Sequence, residues 1–159
     1  TWPVTPHMSL ALNNMAICYA TGLDALGVGD LTAGSDQLAE CFTADAQFAL
    51  EAPADYAALE FTASSPVEFA QIVAGNFEAL GLIRTQHQSG NAVIDRTGKH
   101  TAVMTSYVTA VHVFADESVL NITARYVDDV VRIGGKWMIA KRDIAATSLT
   151  LWDAFPPLL

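Results

Sequence analysis

The sequence predicts an α+β domain: helices first, then long antiparallel strands bent into a cone-shaped sheet, with the helices packed on its concave side. Three observations carry this. Apolar residues recur at helical spacing as far as Leu80. After Gly81 the pattern changes to β-branched runs separated by short turns. Those runs are longer than ordinary strands, so a sheet built from them must bend. Helices gathered on one side of an antiparallel sheet are the α+β plan. With 159 residues, 52% of them hydrophobic, residues 1–159 are read as one domain with a sizeable core.

Taken in order, a proline-punctuated lead-in (1–7) precedes a helix over 8–26. On it Leu10, Asn14, Ile17, Thr21 and Asp24 share one stripe, and Leu12, Met15, Tyr19, Leu23 and Leu26 form an apolar one beside it. A helix apolar over most of its girth is expected to be buried on most sides. Gly27, Gly29 and Gly34 break the chain, and Ser35 caps a short helix over 36–42. Thr43-Ala44-Asp45 reads as a turn, 46–51 as a strand and 52–64 as irregular. Ser65-Pro66-Val67-Glu68 is a compact helix start with a capping box. Phe69, Val73, Phe77 and Leu80 give that helix a core face, and Gly81 ends it. One strand then runs over 83–95, turns at 96–99, and continues as strands over 101–114, 119–133 and 136–147. Gly134-Gly135 makes the last hairpin. An apolar tail, 149–159, is expected to seal the mouth of the cone or a neighbouring subunit.

Composition excludes several classes. Net charge is −9, all eight Lys and Arg lie between Arg84 and Arg142, and residues 1–83 carry acids but no base. No clustered cations exist to displace counterions from nucleic acid or to meet an anionic membrane. No apolar run is long enough to span a bilayer, and no basic-then-apolar leader opens the chain, so a cytoplasmic location is expected. Cys18 and Cys41 have no CxxC spacing and read as buried small hydrophobes, without a disulfide or zinc. The four histidines are too scattered for a metal shell, no glycine loop cradles phosphate, and no Gly-x-Ser-x-Gly occurs. No cofactor is expected. Arg125, Asp128, Asp129 and Arg132 read as cross-strand ion pairs.

The chemistry-bearing candidates are few. Strand alternation puts Thr85, His87, Ser89, Asn91 and Val93 on one face. Asp24 is an acid on an otherwise uncharged helix, where an unpaired carboxylate would be costly to bury. His112 follows on the next long strand beside Val108. Alone, each has a plain packing role: a satisfied strand histidine, a helix-end acid, a core aromatic with a polar handle for Tyr107 and Tyr126.

The order of motifs weighs against those separate readings. A helix with an acid is followed by Cys41-Phe42-Thr43-Ala44-Asp45-Ala46, then Thr85-Gln86-His87. The string Arg-Tyr-Val-Asp-Asp-Val-Val-Arg-Ile-Gly-Gly-Lys-Trp-Met-Ile-Ala-Lys-Arg closes the series at 125–142. Together, over about 10–155, they resemble the SnoaL-like branch of the nuclear transport factor 2-like superfamily, and within it the scytalone dehydratase-like and bile-acid dehydratase-like enzymes. The resemblance implies a cone-shaped, cystatin-like roll with His87 as catalytic base and Asp24 as the catalytic aspartate that orients it. It places His112 at a second catalytic histidine and Tyr126 at a cavity position that holds asparagine in scytalone dehydratase. Leu23 and Leu50 stand where that enzyme has carbonyl-polarising tyrosines. The polarising group is therefore expected to be missing or rebuilt from Tyr19, Tyr56 or Tyr126.

The expectation is a cofactor-independent lyase of the dehydratase type. It would act on an apolar, carbonyl-bearing small molecule such as a polyketide, aromatic or steroid-like compound. The catalytic residues are Asp24, His87, His112 and Tyr126, with His112 and Tyr126 expected as the acid or hydrogen-bond donors; Tyr19, Leu50, Tyr56, Phe69, Asn91, Val108 and Trp152 line the ligand. An isomerase or cyclase, or a non-catalytic binding or assembly module, is the alternative. Epoxide hydrolysis or cyclisation would need a second carboxylate on the cavity, for which Asp128 is the candidate. Self-association as a dimer or trimer is expected.

Overall fold

The first helix, α1 (Pro6–Gly27), starts where Thr5 caps it by accepting from the Met8 N–H at 3.2 Å, with Pro6 in the first turn. The structure, a computed structural model, describes residues 2–90 and 92–154. Leu12, Met15, Tyr19, Leu23 and Leu26 form the buried face of α1. The Leu10–Ile17 stripe points outward instead, at 62% and 64% exposure, so α1 is buried on one side rather than most of its girth.

The second helix, α2 (Leu31–Ala39), begins earlier than expected. Asp30 caps it, accepting from the Ala33 N–H at 2.9 Å, and so pre-empts Ser35. Gly34 lies inside α2 rather than breaking the chain. A Cβ there would sit 3.0 Å from the Gly22 carbonyl oxygen and overlap Leu26, so the missing side chain lets α1 and α2 close together. The same junction carries a correction: Cys18 and Cys41 form a disulfide, their Cα atoms 6.3 Å apart, an ordinary separation for the bond. Local spacing does not signal it, because the partners meet only when α1 packs on α2. Disulfides persist mainly in oxidising compartments, which sets the bridge against the cytoplasmic expectation. Among the described residues no helix is long and apolar enough to cross a membrane.

Strand β1 (Phe42–Glu51) absorbs the expected turn at 43–45 as a register shift between Phe42 and Gln47. After it come a short 3-10 segment (Ala54–Leu59), β2 (Phe61–Ala63) and α3 (Pro66–Leu80). Ser65 caps α3 by accepting from the Glu68 N–H at 3.1 Å, and the Glu68 carboxylate accepts from the Ser64 N–H and hydroxyl, both at 2.8 Å. Gly81 terminates it at φ 72°, the left-handed conformation that a side chain would oppose.

The expected strand over 83–95 is two strands, β3 (Leu82–Ser89) and β4 (Val93–Asp95), both paired to β5 (Thr101–Phe114). The break reverses the alternation: Val93 is 74% exposed, whereas Ile94 packs against the core. Then β6 (Val119–Ile133) and β7 (Lys136–Trp152) complete a curved sheet in the order β2-β1-β7-β6-β5-β3. All pairings are antiparallel except β1 with β7, which is parallel and closes the sheet's other flank. Register shifts at 82/84, 123/124 and 129/130 add bulges, which bend long strands. The expected tail is strand as far as Trp152; its last five residues lie outside the described residues.

Candidate active site

Alternation along β3, β5, β6 and β7 sends one set of side chains into the concavity, and α1 and α3 cover it. The register fixes who meets whom. Thr85 pairs with His112 and His87 with Ala110, so the two histidines are diagonal neighbours on adjacent strands. Their ring centroids lie 5.6 Å apart, edge to face. The last turns of α1 cross β3 at this level. There His87 Nδ1 meets Asp24 Oδ1 at 2.8 Å, and the Thr85 hydroxyl donates to the same oxygen at 3.0 Å. The His87 side chain is 5% exposed and the Asp24 side chain 33%. Gly27 permits this approach: a Cβ on it would lie 2.5 Å from Thr85 Oγ1 and 2.9 Å from the Thr85 backbone nitrogen.

An ionised Asp24 accepts the Nδ1–H, which leaves His87 Nε2 as the nitrogen available to the cavity that the ring lines. His112 differs. Its Nδ1 lies 3.3 Å from the Leu120 carbonyl, and burial, reinforced by neighbouring His87, pushes its pKa down to about 4. At neutral pH His112 is uncharged, its Nδ1–H turned to the backbone. It can offer the cavity an acceptor, whereas the expected acid would need a second proton.

The cavity holds about 130 Å³ and is lined mostly by carbon. Its closed end is made by Tyr19, Phe69 and Tyr126, and its mouth by Asn76, Leu80 and Leu149. Of the expected lining residues, Tyr19, Leu50, Phe69 and Val108 contribute, as does Tyr126. Tyr56 does not: it sits 41% exposed on the 3-10 segment. Trp152 does not either, being 54% exposed opposite Val119. Asn91 lies outside the described residues. Sequence reasoning missed Asn76, the polar side chain at the mouth, which breaks the apolar face of α3 just before Phe77.

Behind the closed end is a second acid–base pair. Asp128 and Arg142 face each other across β6 and β7, joined by two hydrogen bonds of 2.7 Å, at 0% and 1% exposure. Asp128 is thus the cross-strand ion-pair member expected, with a buried partner on β7, and it is not a carboxylate open to the cavity, so epoxide hydrolysis loses its second acid. The Arg142 guanidinium lies 4.3 Å from the Tyr19 ring centroid and 4.5 Å from that of Tyr126. Burial raises the pKa of both phenols, while the Arg142 charge pulls each down. Both therefore remain protonated donors at neutral pH. Among the described residues no three His, Cys, Asp or Glu side chains converge as a metal site.

A curved sheet with a helical cover and a dyad at one side of an apolar cavity defines a nuclear transport factor 2-like, cystatin-like roll. Within that class, the chain belongs to the SnoaL-like domain family, whose model matches residues 18–143. No curated protein matches it. Among solved structures it is similar to a Novosphingobium aromaticivorans protein provisionally named an aromatic ring hydroxylase. That match has 20% identity and a TM-score of 0.74, covering 94% of this chain and 96% of the other. It is also similar to a protein from N. aromaticivorans DSM 12444 provisionally named a scytalone dehydratase (22%, TM-score 0.69, 94% of both chains). A third match is the hexachlorocyclohexane dehydrochlorinase LinA-type3 of Novosphingobium barchaimii LL02, at 17% identity and TM-score 0.66, covering 95% of this chain and 99% of that one. Identities this low establish the shared fold.

Proposed function

We propose that the protein is a lyase of the dehydratase type that removes water from an apolar, carbonyl-bearing small molecule by proton transfer alone. The carrying observation is the 2.8 Å contact between Asp24 Oδ1 and His87 Nδ1 at the wall of an apolar cavity. Abstracting a proton α to a carbonyl is best served by a base whose pKa lies near the working pH, which imidazole has unaided and a carboxylate reaches only when its surroundings raise it. In this reading His87 Nε2 takes the α-proton, the C–H electron pair becomes the new double bond, and the β-carbon–oxygen bond breaks. The imidazolium, held by ionised Asp24, returns the proton to the departing oxygen, so one water leaves. Neutral His112 accepts a hydrogen bond from that hydroxyl, which keeps its own hydrogen as it leaves as water. Tyr126 and Tyr19 donate to the carbonyl oxygen as it gains negative charge, and the Arg142 cation behind their rings strengthens them as donors. That supplies the polarising group which Leu23 and Leu50 cannot. Two structures that share the fold carry names that describe eliminations, one provisionally a scytalone dehydratase and one a hexachlorocyclohexane dehydrochlorinase.

The test is turnover of β-hydroxy ketones, followed by enone absorbance, with wild type, His87→Ala and Asp24→Asn in parallel. Wild type forms the enone, and His87→Ala loses about 10²–10⁴ in kcat, the scale of general acid–base catalysis. Turnover that survives His87→Ala ends this reading.

A further inference from the structure

The Cys18–Cys41 bridge stands at a surface hollow separate from the apolar cavity. One wall is a stripe of α1 at helical spacing, His7, Ala11, Asn14 and Cys18; the other is the end of α2 with the β6–β7 hairpin. Cys18 is half-buried there while Cys41 is 2% exposed, so a reagent in the hollow reaches the Cys18 sulfur first. Lys136 is paired with Glu40 at 3.0 Å, which leaves Arg132 as net positive charge on the rim, favourable to an approaching thiolate. Both sulfurs lie near carbonyl oxygens of α2: Cys18 Sγ is 3.1 Å from that of Gln37, and Cys41 Sγ is 3.6 Å from that of Leu38. Each released thiol would find an acceptor beside it, so the fold provides for the reduced pair as well as for the bridge.

The bridge also holds the two residues that follow its cysteines. The rings of Tyr19 and Phe42 lie 6.1 Å apart and flank Arg142, whose guanidinium is 4.3 Å from the first and 5.3 Å from the second. Elsewhere α1 has other anchors. Asn13 Oδ1 accepts from the Ala92 N–H at 3.1 Å, Gly22 lies close on Leu38 of α2, and Asp24 meets His87 and Thr85. Across the hollow, the sulfur contacts aside, no hydrogen bond or ion pair joins the two walls among the described residues. Cutting the bridge therefore loosens α1 around Cys18 and Tyr19 and leaves the Asp24 end held.

Resting on the elimination reading above for the part played by Tyr19, we infer that the Cys18–Cys41 bridge is an exchange site for a dithiol reductant and that its state positions Tyr19. A thiolate of the dithiol attacks Cys18 Sγ and forms a mixed disulfide; the bond to Cys41 breaks, and Cys41 leaves as a thiolate that takes up a proton. The second thiol of the reductant, having given up its proton, attacks the reductant's own sulfur in that mixed disulfide. Cys18 is expelled and protonated in turn. The bridge gains two electrons and two protons, and the dithiol becomes a cyclic disulfide. With the bridge open Tyr19 is a poorer donor to the carbonyl oxygen, so turnover falls; closing it restores turnover. Cys18 and Cys41 are thus positioning residues.

Three measurements on the whole chain, with and without dithiothreitol, test this. Thiol titration without denaturant finds two thiols in the reduced protein, which a thermal melt shows to be folded. Amide hydrogen exchange read by mass spectrometry speeds up over residues 11–20 and is unchanged in β3. On the hydroxy ketone that wild type turns over, reduction and Tyr19→Phe each lower kcat roughly tenfold, and reduced Tyr19→Phe falls little further, because both remove one donor. Oxidised dithiothreitol returns wild-type kcat, and the double variant Cys18→Ser, Cys41→Ser does not respond to either reagent. The inference is overturned if the bridge resists dithiothreitol in the folded protein, or if the reduced protein unfolds. It is equally overturned by unchanged hydrogen exchange over 11–20, or by a loss of about a hundredfold in reduced Tyr19→Phe, the product of two independent effects. Should no hydroxy ketone be turned over, the elimination reading ends, while thiol titration and hydrogen exchange still decide whether the bridge opens and loosens Tyr19.

Discussion

Two acid–base pairs lie in the same concavity, and they are built for opposite ends. Asp128 and Arg142 meet through two hydrogen bonds and are sealed from solvent on both sides. Asp24 and His87 meet through one, and the carboxylate keeps a third of its surface in water. Arginine cannot give up its proton in a protein, so the charge of the first pair is fixed. Histidine can, and its second nitrogen is left to the cavity, so the charge of the second pair can move. The fixed pair holds the closed end of the cone and props two tyrosine rings from behind. The movable pair stands where a ligand can reach it. A fixed charge held by two hydrogen bonds, with Arg142 Nη1 buried and unpartnered, therefore marks the scaffold here, while a nitrogen that can exchange its proton and lines the cavity marks the chemistry.

The contrast breaks most sharply on folding stability. Removing one partner of a sealed pair strands the other charge, at a cost of about 3–5 kcal/mol. Asp128→Asn should therefore lower the free energy of unfolding by that amount in urea titration, and the double variant Asp128→Leu, Arg142→Met should recover much of it. Asp24→Asn, whose site is partly wet, should cost far less in the same titration while losing activity. Equal destabilisation by Asp128→Asn and Asp24→Asn would show that the two pairs do not differ in the way described.

His112 sharpens the comparison through pH. In the unfolded chain its imidazole titrates near 6.5, but in the folded protein burial and the neighbouring His87 hold it at about 4. Above pH 6.5 both forms are neutral and full stability is kept. Between those values only the unfolded chain takes up the proton, so stability falls as pH falls, by on the order of 3 kcal/mol in total. The slope flattens below pH 4, where both states are protonated. His112→Gln should remove this part of the pH dependence, read as the difference between wild-type and variant unfolding curves from pH 7 to pH 4. Parallel curves would mean that His112 is not held neutral.

Much of this was legible in the sequence because it is local. The β5 and β6 boundaries follow from β-branched runs between turn residues. Asp24 stood out because its helix carries no other charge, and its link to His87 came from the order of motifs that the family resemblance supplied. What stayed hidden depends on partners far apart in the chain. Cys18 and Cys41 pair only through helix packing. Asp128 reads as one more charge in an alternating strand until Arg142 is placed opposite. The reversal after Gly90 turned Val93 outward against strict alternation. Tyr56 and Trp152 looked like ligand-lining aromatics on residue type alone, and their backbone positions put both on the surface.

The smallest expected effect on stability falls at Gly27, where the movable pair is positioned. Gly27 is the last residue of α1, in ordinary helical conformation, so its role is spatial. A methyl group there would lie 2.5 Å from Thr85 Oγ1 and 2.9 Å from the Thr85 backbone nitrogen. The hydroxyl could rotate away but the backbone could not, so α1 must lift from β3. Asp24, one turn earlier on the same side, lifts with it and loses both the Thr85 hydroxyl and its short contact with His87. For folding, that strain of about 1–3 kcal/mol is offset by the roughly 1 kcal/mol by which alanine exceeds glycine in a helix. For catalysis nothing offsets it, because a displacement near 1 Å in a reacting group costs about a hundredfold. Gly27→Ala should therefore melt within a few degrees of wild type, yet approach Asp24→Asn in kcat on the same hydroxy ketone. Full activity in a folded Gly27→Ala protein would show that the Asp24–His87 contact does not depend on how closely α1 lies on β3.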